Sequence, residues 1–520
     1  MQENVKILWA DDEIDLLKIH VLFLREKGYQ VETATNGHDA LELVAEGSFD
    51  IIFLDENMPG LSGLETLQRI KALNASVPVV MVTKSEEEDI MEDAIGAKIS
   101  DYLIKPVKPQ QILLTIKKNV NSQHLISQKA TSGYQTQFGR LSMDIGQARD
   151  FEDWKAIYKK LVYWELELGQ GGGAQLDEVI QMQKGEANGA FGKFVAKNYL
   201  EWLDPRTDHH PLMSPNLFKD KVLPLLDQQE QVFFILVDNL RFDQWKILEP
   251  SIAQEFRVLE EDIYCSILPT ATQYARNAIF SGLMPSEIEK LHPEFWVGEL
   301  DEGGKNLFEQ QLIEKMIARF GRSVRFNYDK VSSTKAGGKL VDSFSNIKSF
   351  PLNVLVFNFI DMLSHARTEM QVIKELARDE AAYRSITQSW FEHSSLRTLL
   401  HKIAELPSRP KVILTTDHGT VRVQNPLKVI GDRETSTNLR YKEGRNLSYK
   451  AKSVFEITNP KKAFLPSSNL SSAYIFAYGQ DFFAYPNNYN HYVNLYKGSF
   501  QHGGISLEEM MVPLITLQAK

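Results

Sequence analysis

The feature that most constrains the fold is a recurring pairing: a short apolar run followed at once by a carboxylate. Ile7-Leu-Trp-Ala10 runs into Asp11-Asp12, and Ile51-Ile-Phe-Leu54 into Asp55. In the second half, Val232–Val237 runs into Asp238, Val354–Ile360 into Asp361, and Val412–Thr416 into Asp417-His418. Continuous apolar runs of this length are those of strands covered on both faces, as in a parallel α/β sheet. Parallel neighbours need crossover connections, usually helical. The carboxyl ends of such strands share one edge, where open α/β sheets bind ligands. The chain is therefore expected to hold two α/β sheets, each with an acidic rim.

Within residues 1–120 the strand runs are Val5–Ala10, Gln30–Thr33, Ile51–Leu54, Val79–Val82 and Asp101–Ile104, with helix-like stretches Leu16–Lys27 and Ala40–Glu46 between them. Five strands in this span predict a small doubly wound domain. Asp11, Asp12, Asp55, Thr83 and Lys105 all fall at strand ends and so on one rim. The types fit one chemistry. Asp11 and Asp12 suit a hard cation such as Mg²⁺. Asp55 suits a nucleophile that accepts a phosphoryl group, and Lys105 and Thr83 suit groups that bind the added oxygens. The stretches Trp9-Ala-Asp-Asp-Glu13, Leu54-Asp-Glu-Asn-Met-Pro-Gly60 and Tyr102-Leu-Ile-Lys-Pro106 resemble bacterial response regulator receiver domains over residues 4–122. The resemblance implies a flavodoxin-like receiver with a five-stranded parallel sheet, phosphorylated on Asp55 by a histidine kinase. It also implies a backbone carbonyl from Asn57 on Mg²⁺, a Thr83–Tyr102 switch pair, and dimerisation through roughly residues 88–120, promoted by phosphorylation.

From about 107 to 205 apolar residues recur at three- and four-residue steps, as in Trp154-Lys-Ala-Ile-Tyr158…Trp164, which predicts a central helical bundle broken at Gly171-Gly172-Gly173. It reads as a spacer between two working domains. The expected organisation is 1–122, 123–205 and 206–520. The polar stretch Gly431–Tyr449 reads as an exposed loop.

The second half adds histidines to its acids. Asp361 and His365 stand four residues apart, which on a helix puts both on one face, and His502 precedes the apolar run Met510–Ile515. Ca²⁺ or Mg²⁺ is conceivable for such a rim, but three imidazoles among three carboxylates favour Zn²⁺ or Mn²⁺, and the count suits two ions about 4 Å apart, as in-line phosphoryl displacement uses. His209, His210, His292, His393 and His401 have no strand-end partners and read as ordinary polar residues. The segment Leu268–Gly282 reads as a turn opening a helix. Thr270 and Thr272 are simple N-caps by position, but a hydroxyl beside free helix N–H groups can also meet a phosphate. Arg276 and Asn277, one turn on, are candidates for substrate phosphate oxygens.

The order Asp238, Thr272, Asp361-x-x-x-His365, Asp417-His418, His502 resembles the alkaline phosphatase superfamily, and within it the PglZ branch, over about 206–520. Pro269-Thr-x-Thr272 matches the nucleophile turn and His502-Gly-Gly-Ile-Ser-Leu-Glu-Glu509 the last ligand loop. The resemblance implies an alkaline-phosphatase-like α/β domain with one ion on Asp361, His365 and His502. It places the other on Asp238, Asp417, His418 and Thr272, the covalent nucleophile. Receiver, helical segment and PglZ domain in this order are similar to response regulators associated with type IX secretion. That implies a phosphodiesterase acting on linear or cyclic oligonucleotides, with an extracytoplasmic-function sigma factor and a secretion-motor component as partners. The alternative is a phospho-switchable adaptor in which catalysis is secondary.

Composition narrows the rest. The net charge is −10 with no long basic block, which disfavours duplex DNA binding. Cys265 is the only cysteine, so an intramolecular disulfide and a multi-cysteine zinc site are excluded. Neither a signal peptide nor an apolar run of about 18 residues is present, so a cytoplasmic protein without membrane insertion is expected.

Overall fold

The computed structural model describes residues 5–74, 77–84, 99–169, 174–204, 206–207, 210–299, 301, 303–432, 435–467 and 471–520. The Gly171–Gly173 break, His209 and residues 88–98 of the expected dimer face lie outside them. The described residues form two compact units, one ending at Thr136 and the other comprising Gln137–Gly169 and Ala174–Lys520.

In the first unit, strands β1 (Lys6–Ala10), β2 (Gln30–Ala34), β3 (Ile51–Asp55), β4 (Val79–Thr83) and β5 (Asp101–Ile104) pair in parallel in the order β2-β1-β3-β4-β5. Successive side chains on β1 and β3 point to opposite faces. Leu8, Ala10, Ile52 and Leu54 pack on one side; Ile7, Trp9, Ile51 and Phe53 pack on the other. Helices α1 (Lys18–Glu26), α2 (Gly37–Glu46) and α3 (Gly63–Leu73) make the crossovers. Asn36 caps α2, and Ser62 with Glu65 forms a capping box on α3, satisfying N–H groups the helix cannot. This is the expected doubly wound domain.

Helix α4 runs unbroken from Pro109 to Gln147, through the expected boundary at 122. Helices α5 (Phe151–Gly169) and α6 (Ala174–Trp202) follow. α5 and α6 belong to the same compact unit as the rest of the C-terminal chain. Trp154 packs edge-on against Phe191 (5.3 Å), Tyr158 lies 6.0 Å from Phe242, and Lys155 Nζ bridges Asp262 at 2.8 Å. Sequence periodicity shows an apolar face but not what covers it.

The second unit is built on a six-stranded sheet in the order β7-β18-β10-β6-β9-β8. These are β6 (Val232–Val237), β7 (Phe256–Cys265), β8 (Phe326–Val331), β9 (Leu352–Phe357), β10 (Lys411–Thr415) and β18 (Met511–Ala519). β10, β6, β9 and β8 are parallel, while β18 runs antiparallel to both β10 and β7. The expected α/β sheet is thus a mixed one. The reversal has a consequence: the segment entering β18 lies on the edge where the parallel strands end, which brings His502 to the acidic rim. Four further helices matter for the site: α7 (Phe242–Ile252), α8 (Thr272–Ser281), α9 (Glu309–Arg319) and α10 (Phe359–Glu369).

Three small sheets join the segments between β10 and β18: β11 (Val421–Arg422) with β17 (Phe500–Gln501), β12 (Asn425–Lys428) with β16 (Asp481–Ala484), and β13 (Tyr441–Gly444), β15 (Ala473–Ala477) and β14 (Val454–Ile457). Much of the expected exposed loop at 431–449 is therefore structured. β13 is buried throughout, and Arg440 beside it is buried against Glu509 at 2.6 Å. Its polar composition reflects paired charges rather than solvent. Among the described residues no helix is long and apolar enough to cross a membrane.

Candidate phosphorylation site and candidate active site

In the first unit the strand ends bring Asp11, Asp12 and Asp55 together, with one oxygen of each within 4.8 Å of the others. Lys105 Nζ lies 2.7 Å from both Asp11 and Asp55. Burial raises the Asp55 carboxyl above its ordinary range, against the Lys105 hydrogen bond that lowers it. Thr83 Oγ1 donates to Glu56 Oε2 at 2.9 Å on the same rim. Tyr102 lies on β5 and pairs in register with Met81. Asn57 is exposed two residues past Asp55. Three carboxylates around a single lysine leave negative charge in excess, which fits a divalent hard cation.

In the second unit two triads form: Asp361, His365 and His502, and Asp238, Asp417 and His418. Asp238 follows β6, and the chain then turns at Asn239, whose φ of 66° lies in the left-handed region that Asn tolerates. Asn239 Nδ2 donates to Ser364 Oγ (3.2 Å) and to Asp361 Oδ1 (3.4 Å), tying the two triads together. Asp361 is the third residue of α10, not a strand end, and His365 stands one turn later; His365 Nε2 and His502 Nε2 are each 3.6 Å from Asp361 Oδ1. The His418 and His502 rings stack at 4.2 Å. Thr272, the first residue of α8, points its Oγ1 at His418 Nε2, 3.1 Å away.

Neither threonine acts as a helix cap. Thr270 Oγ1 donates to the Gly504 carbonyl (2.8 Å) and accepts from the Gly503 N–H (3.1 Å), pinning the His502 loop to the turn that carries Thr272. Arg276 is corrected as a substrate contact. It is buried, with Nη1 donating to Asp238 Oδ2 at 3.0 Å and Nε 2.8 Å from Glu309 Oε1. Asn277 likewise serves the fold, donating to the Lys305 carbonyl and accepting from Asn306. Glu309, on α9, was not singled out in the sequence because it belongs to an ordinary amphipathic helix. His393 bonds to the Ser389 carbonyl four residues back, and His401 pairs with Glu255, distant in sequence.

The donor set fits metal ions. Asp238 and Asp417 are 1% and 0% exposed, and Asp238 Oδ1 and Asp417 Oδ2 have no hydrogen-bond partner among the described residues. Bare carboxylate oxygens at this depth cost several kcal/mol unless a cation meets them. Burial and the neighbouring Asp238 raise the Asp361 carboxyl to about 6, and burial with Asp238 raises Asp417 well above the usual range. Burial also lowers His418 and, further, His502, so both imidazoles are neutral at pH 7.

Three families match the chain. Residues 7–117 match the response regulator receiver domain, 124–203 the PorX response regulator linker domain, and 217–517 the BREX system PglZ alkaline phosphatase-like domain. The transcriptional regulatory protein ZraR of Escherichia coli O157:H7 is 35% identical over 137 residues, 26% of this chain and 31% of that protein. ResD of Bacillus subtilis (strain 168) is 33% identical over 114 residues, 22% of this chain and 47% of that protein. The chain thus spans less than half the length of these relatives. A receiver domain structure from Clostridium thermocellum is 31% identical, covering 23% of this chain and 98% of that one, with a TM-score of 0.23. The PglZ match covers more than half of the 520 residues. The protein belongs to the PglZ alkaline phosphatase-like family, within a PorX-like two-component response regulator.

Proposed function

We propose that the chain is a phosphorylation-controlled phosphodiesterase whose nucleophile is Thr272. The observation that carries this reading is the placement of the Thr272 hydroxyl at the first turn of α8, 3.1 Å from His418 and beside two acid–imidazole triads. Asp361, His365 and His502 would hold one ion, and Asp238, Asp417, His418 and the Thr272 oxygen the other. Bound there, two Zn²⁺ ions, with Mn²⁺ as substitute, would supply Lewis-acid charge. The protein's own groups do the rest. Thr272 Oγ1 gives up its proton and bonds to phosphorus as the bond to one ester oxygen breaks. That oxygen leaves as an alcohol once protonated, and Thr272 becomes a phosphodiester. Water then cleaves the Thr272 oxygen–phosphorus bond, releasing a phosphomonoester and restoring the hydroxyl. The N-terminal end of α8, where Thr272 stands, would favour the negative phosphate oxygens.

Arg276 favours a diester over a monoester. A monoester carries an extra unesterified oxygen charge, and the cation one turn from Thr272 is already held by Asp238 and Glu309. Oligonucleotides, linear or cyclic, are the substrate class this reading names. In the receiver, Asp55 takes the phosphoryl group from a histidine kinase. Asp11, Asp12, Asp55 and the Asn57 carbonyl hold Mg²⁺, and Lys105, Thr83 and Tyr102 read the added oxygens. Phosphorylation promotes a homodimer. Signalling reaches an extracytoplasmic-function sigma factor and a motor component of type IX secretion, in the cytoplasm where the kinase has ATP.

The test is hydrolysis of bis(p-nitrophenyl) phosphate against p-nitrophenyl phosphate by the full-length protein with Zn²⁺ or Mn²⁺. The diester is expected to be cleaved faster, and Thr272→Ala to lose the activity while keeping its metal. Unchanged turnover by Thr272→Ala removes the proposed nucleophile.

A further inference from the structure

One face of helix α6 reaches the loops that carry the active-site groups. Lys184 and Asn188 are one turn apart, Gly192 is the next turn, and Tyr199 lies near the same line. All four are described, and the three side chains are buried apart from solvent. Asn188 Oδ1 accepts from the Leu507 N–H at 2.7 Å, and its Nδ2 donates to Glu508 Oε2 at 3.0 Å. Lys184 Nζ bridges Glu508 (3.1 Å) and Glu165 of α5 (2.8 Å). A Cβ on Gly192 would lie 2.5 Å from the Tyr478 ring, so only glycine lets the helix approach that strand end, and Tyr478 pairs with Ile505. The Tyr199 hydroxyl accepts from the Leu268 N–H at 2.8 Å, just ahead of Pro269-Thr-Ala-Thr272.

The loop that Asn188 holds is not peripheral to the site. It begins at His502, and its Glu508 carbonyl stands where a Cβ on Gly419 would fall, 2.0 Å away. Gly419 directly follows His418, and its N–H donates to the Glu509 carbonyl at 3.2 Å. The turn is thus wedged between α6 and the Asp417-His418 ligands. On the other side Arg241, three residues past Asp238, pairs with Asp243, which with Glu165 holds Arg384. The charges are nearly all buried, and each is met by an opposite one; such networks fix geometry more than they add stability.

We propose that α6 is a positioning element of the hydrolase site. Asn188 and Lys184 set the loop that bears His502 and backs His418, and Tyr199 sets the turn that bears Thr272. The proposal rests on the metal-site reading above. Groups that orient ligands from behind typically change metal affinity by about 10- to 100-fold when removed.

The experiment is a competitive Zn²⁺ titration of full-length protein, with thermal unfolding of the same samples. It compares Asn188→Ala, Asp417→Asn and Lys155→Met, the last breaking an α5–β7 bridge remote from the ligands. Asn188→Ala is expected to bind Zn²⁺ at least about 10-fold more weakly while still folded. Lys155→Met is expected to unfold earlier but bind as the wild type does. Asn188→Ala that loses stability yet keeps wild-type affinity overturns the positioning role. If Asp417→Asn also binds as the wild type does, the metal-site reading itself has failed. Should Asn188→Ala not fold, Tyr199→Phe replaces it, removing the acceptor of the Leu268 N–H. Its expected result is a fall in kcat for bis(p-nitrophenyl) phosphate of about 10-fold with Zn²⁺ affinity and KM unchanged, and an unchanged kcat overturns the proposal.

Discussion

The two units both gather their acids at the carboxyl edge of parallel strands, one in a parallel sheet and the other in a mixed one, and they furnish that edge with different donors. The receiver rim carries three carboxylates, and two of them share the single Lys105 cation at 2.7 Å. Asp12 is exposed. Such a rim suits a cation that arrives with its waters and leaves with them. The hydrolase rim has three imidazoles, and its cation is the buried Arg276, 3.0 Å from Asp238 Oδ2 and 3.7 Å from Asp417 Oδ2; Asp238 Oδ1 and Asp417 Oδ2 have no hydrogen-bond partner among the described residues. That arrangement suits ions that stay. Under the proposed function the difference would follow from the tasks: one rim would accept and release a phosphoryl group as a signal, while the other would hold its metal ions ready for every turnover.

The sharpest break between the rims is at their nucleophiles. Asp55→Ala is expected to abolish phosphate incorporation from a small acyl phosphate donor while leaving bis(p-nitrophenyl) phosphate hydrolysis by the unphosphorylated protein intact; loss of both would mean the rims are not separable. Metal retention comes next. After desalting without added metal, elemental analysis is expected to find about two Zn²⁺ per chain and no Mg²⁺, and a strong chelator followed by desalting is expected to lower diesterase activity about 100-fold or more. Added Zn²⁺ should restore it, whereas the receiver in the chelated sample should still label once Mg²⁺ is supplied. Zinc that leaves on simple desalting would erase the distinction.

The smallest effect concerns the charges beneath the hydrolase site. Lys184 and Arg384 hold the Glu165 carboxyl, against its burial, down to about 2 from an ordinary 4.5. A carboxyl lowered on folding contributes stability above its unfolded pKa, and that contribution is lost as pH falls from about 4.5 toward 2. Glu165→Gln should therefore lower the Tm most at neutral pH, and its gap from wild type should narrow below about pH 4.5. A gap that stays constant down to pH 2 would place Glu165 outside the network.

Much of the rim was legible in the sequence because strand-end acids after continuous apolar runs are a local signal. Asp11, Asp55, Asp238 and Asp417 need only their own strands to be placed. Asp361 was placed by the same signal although a helix carries it: the chain leaves β9 at Phe357 and α10 begins at once. β7 was not legible. Its sequence, Phe-Arg-Val-Leu-Glu-Glu-Asp-Ile-Tyr-Cys, mixes charges into an edge strand, and its pairing partner β18 lies some 250 residues on. Nor was the attachment of α6, whose partners Leu268, Leu507 and Glu508 are distant in sequence. Arg276 was misread for a related reason: one turn from Thr272 it looks free, and only the fold brings Asp238 and Glu309 to it.

The central claim is that Thr272 forms a covalent bond to phosphorus. Acid quenching of the full-length protein during turnover of bis(p-nitrophenyl) phosphate, followed by peptide mass spectrometry, tests it directly. The account predicts a p-nitrophenyl phosphate adduct on the peptide containing Thr272 that is absent from Thr272→Ala. Sustained turnover with no adduct on that peptide, or an adduct on another residue, contradicts it.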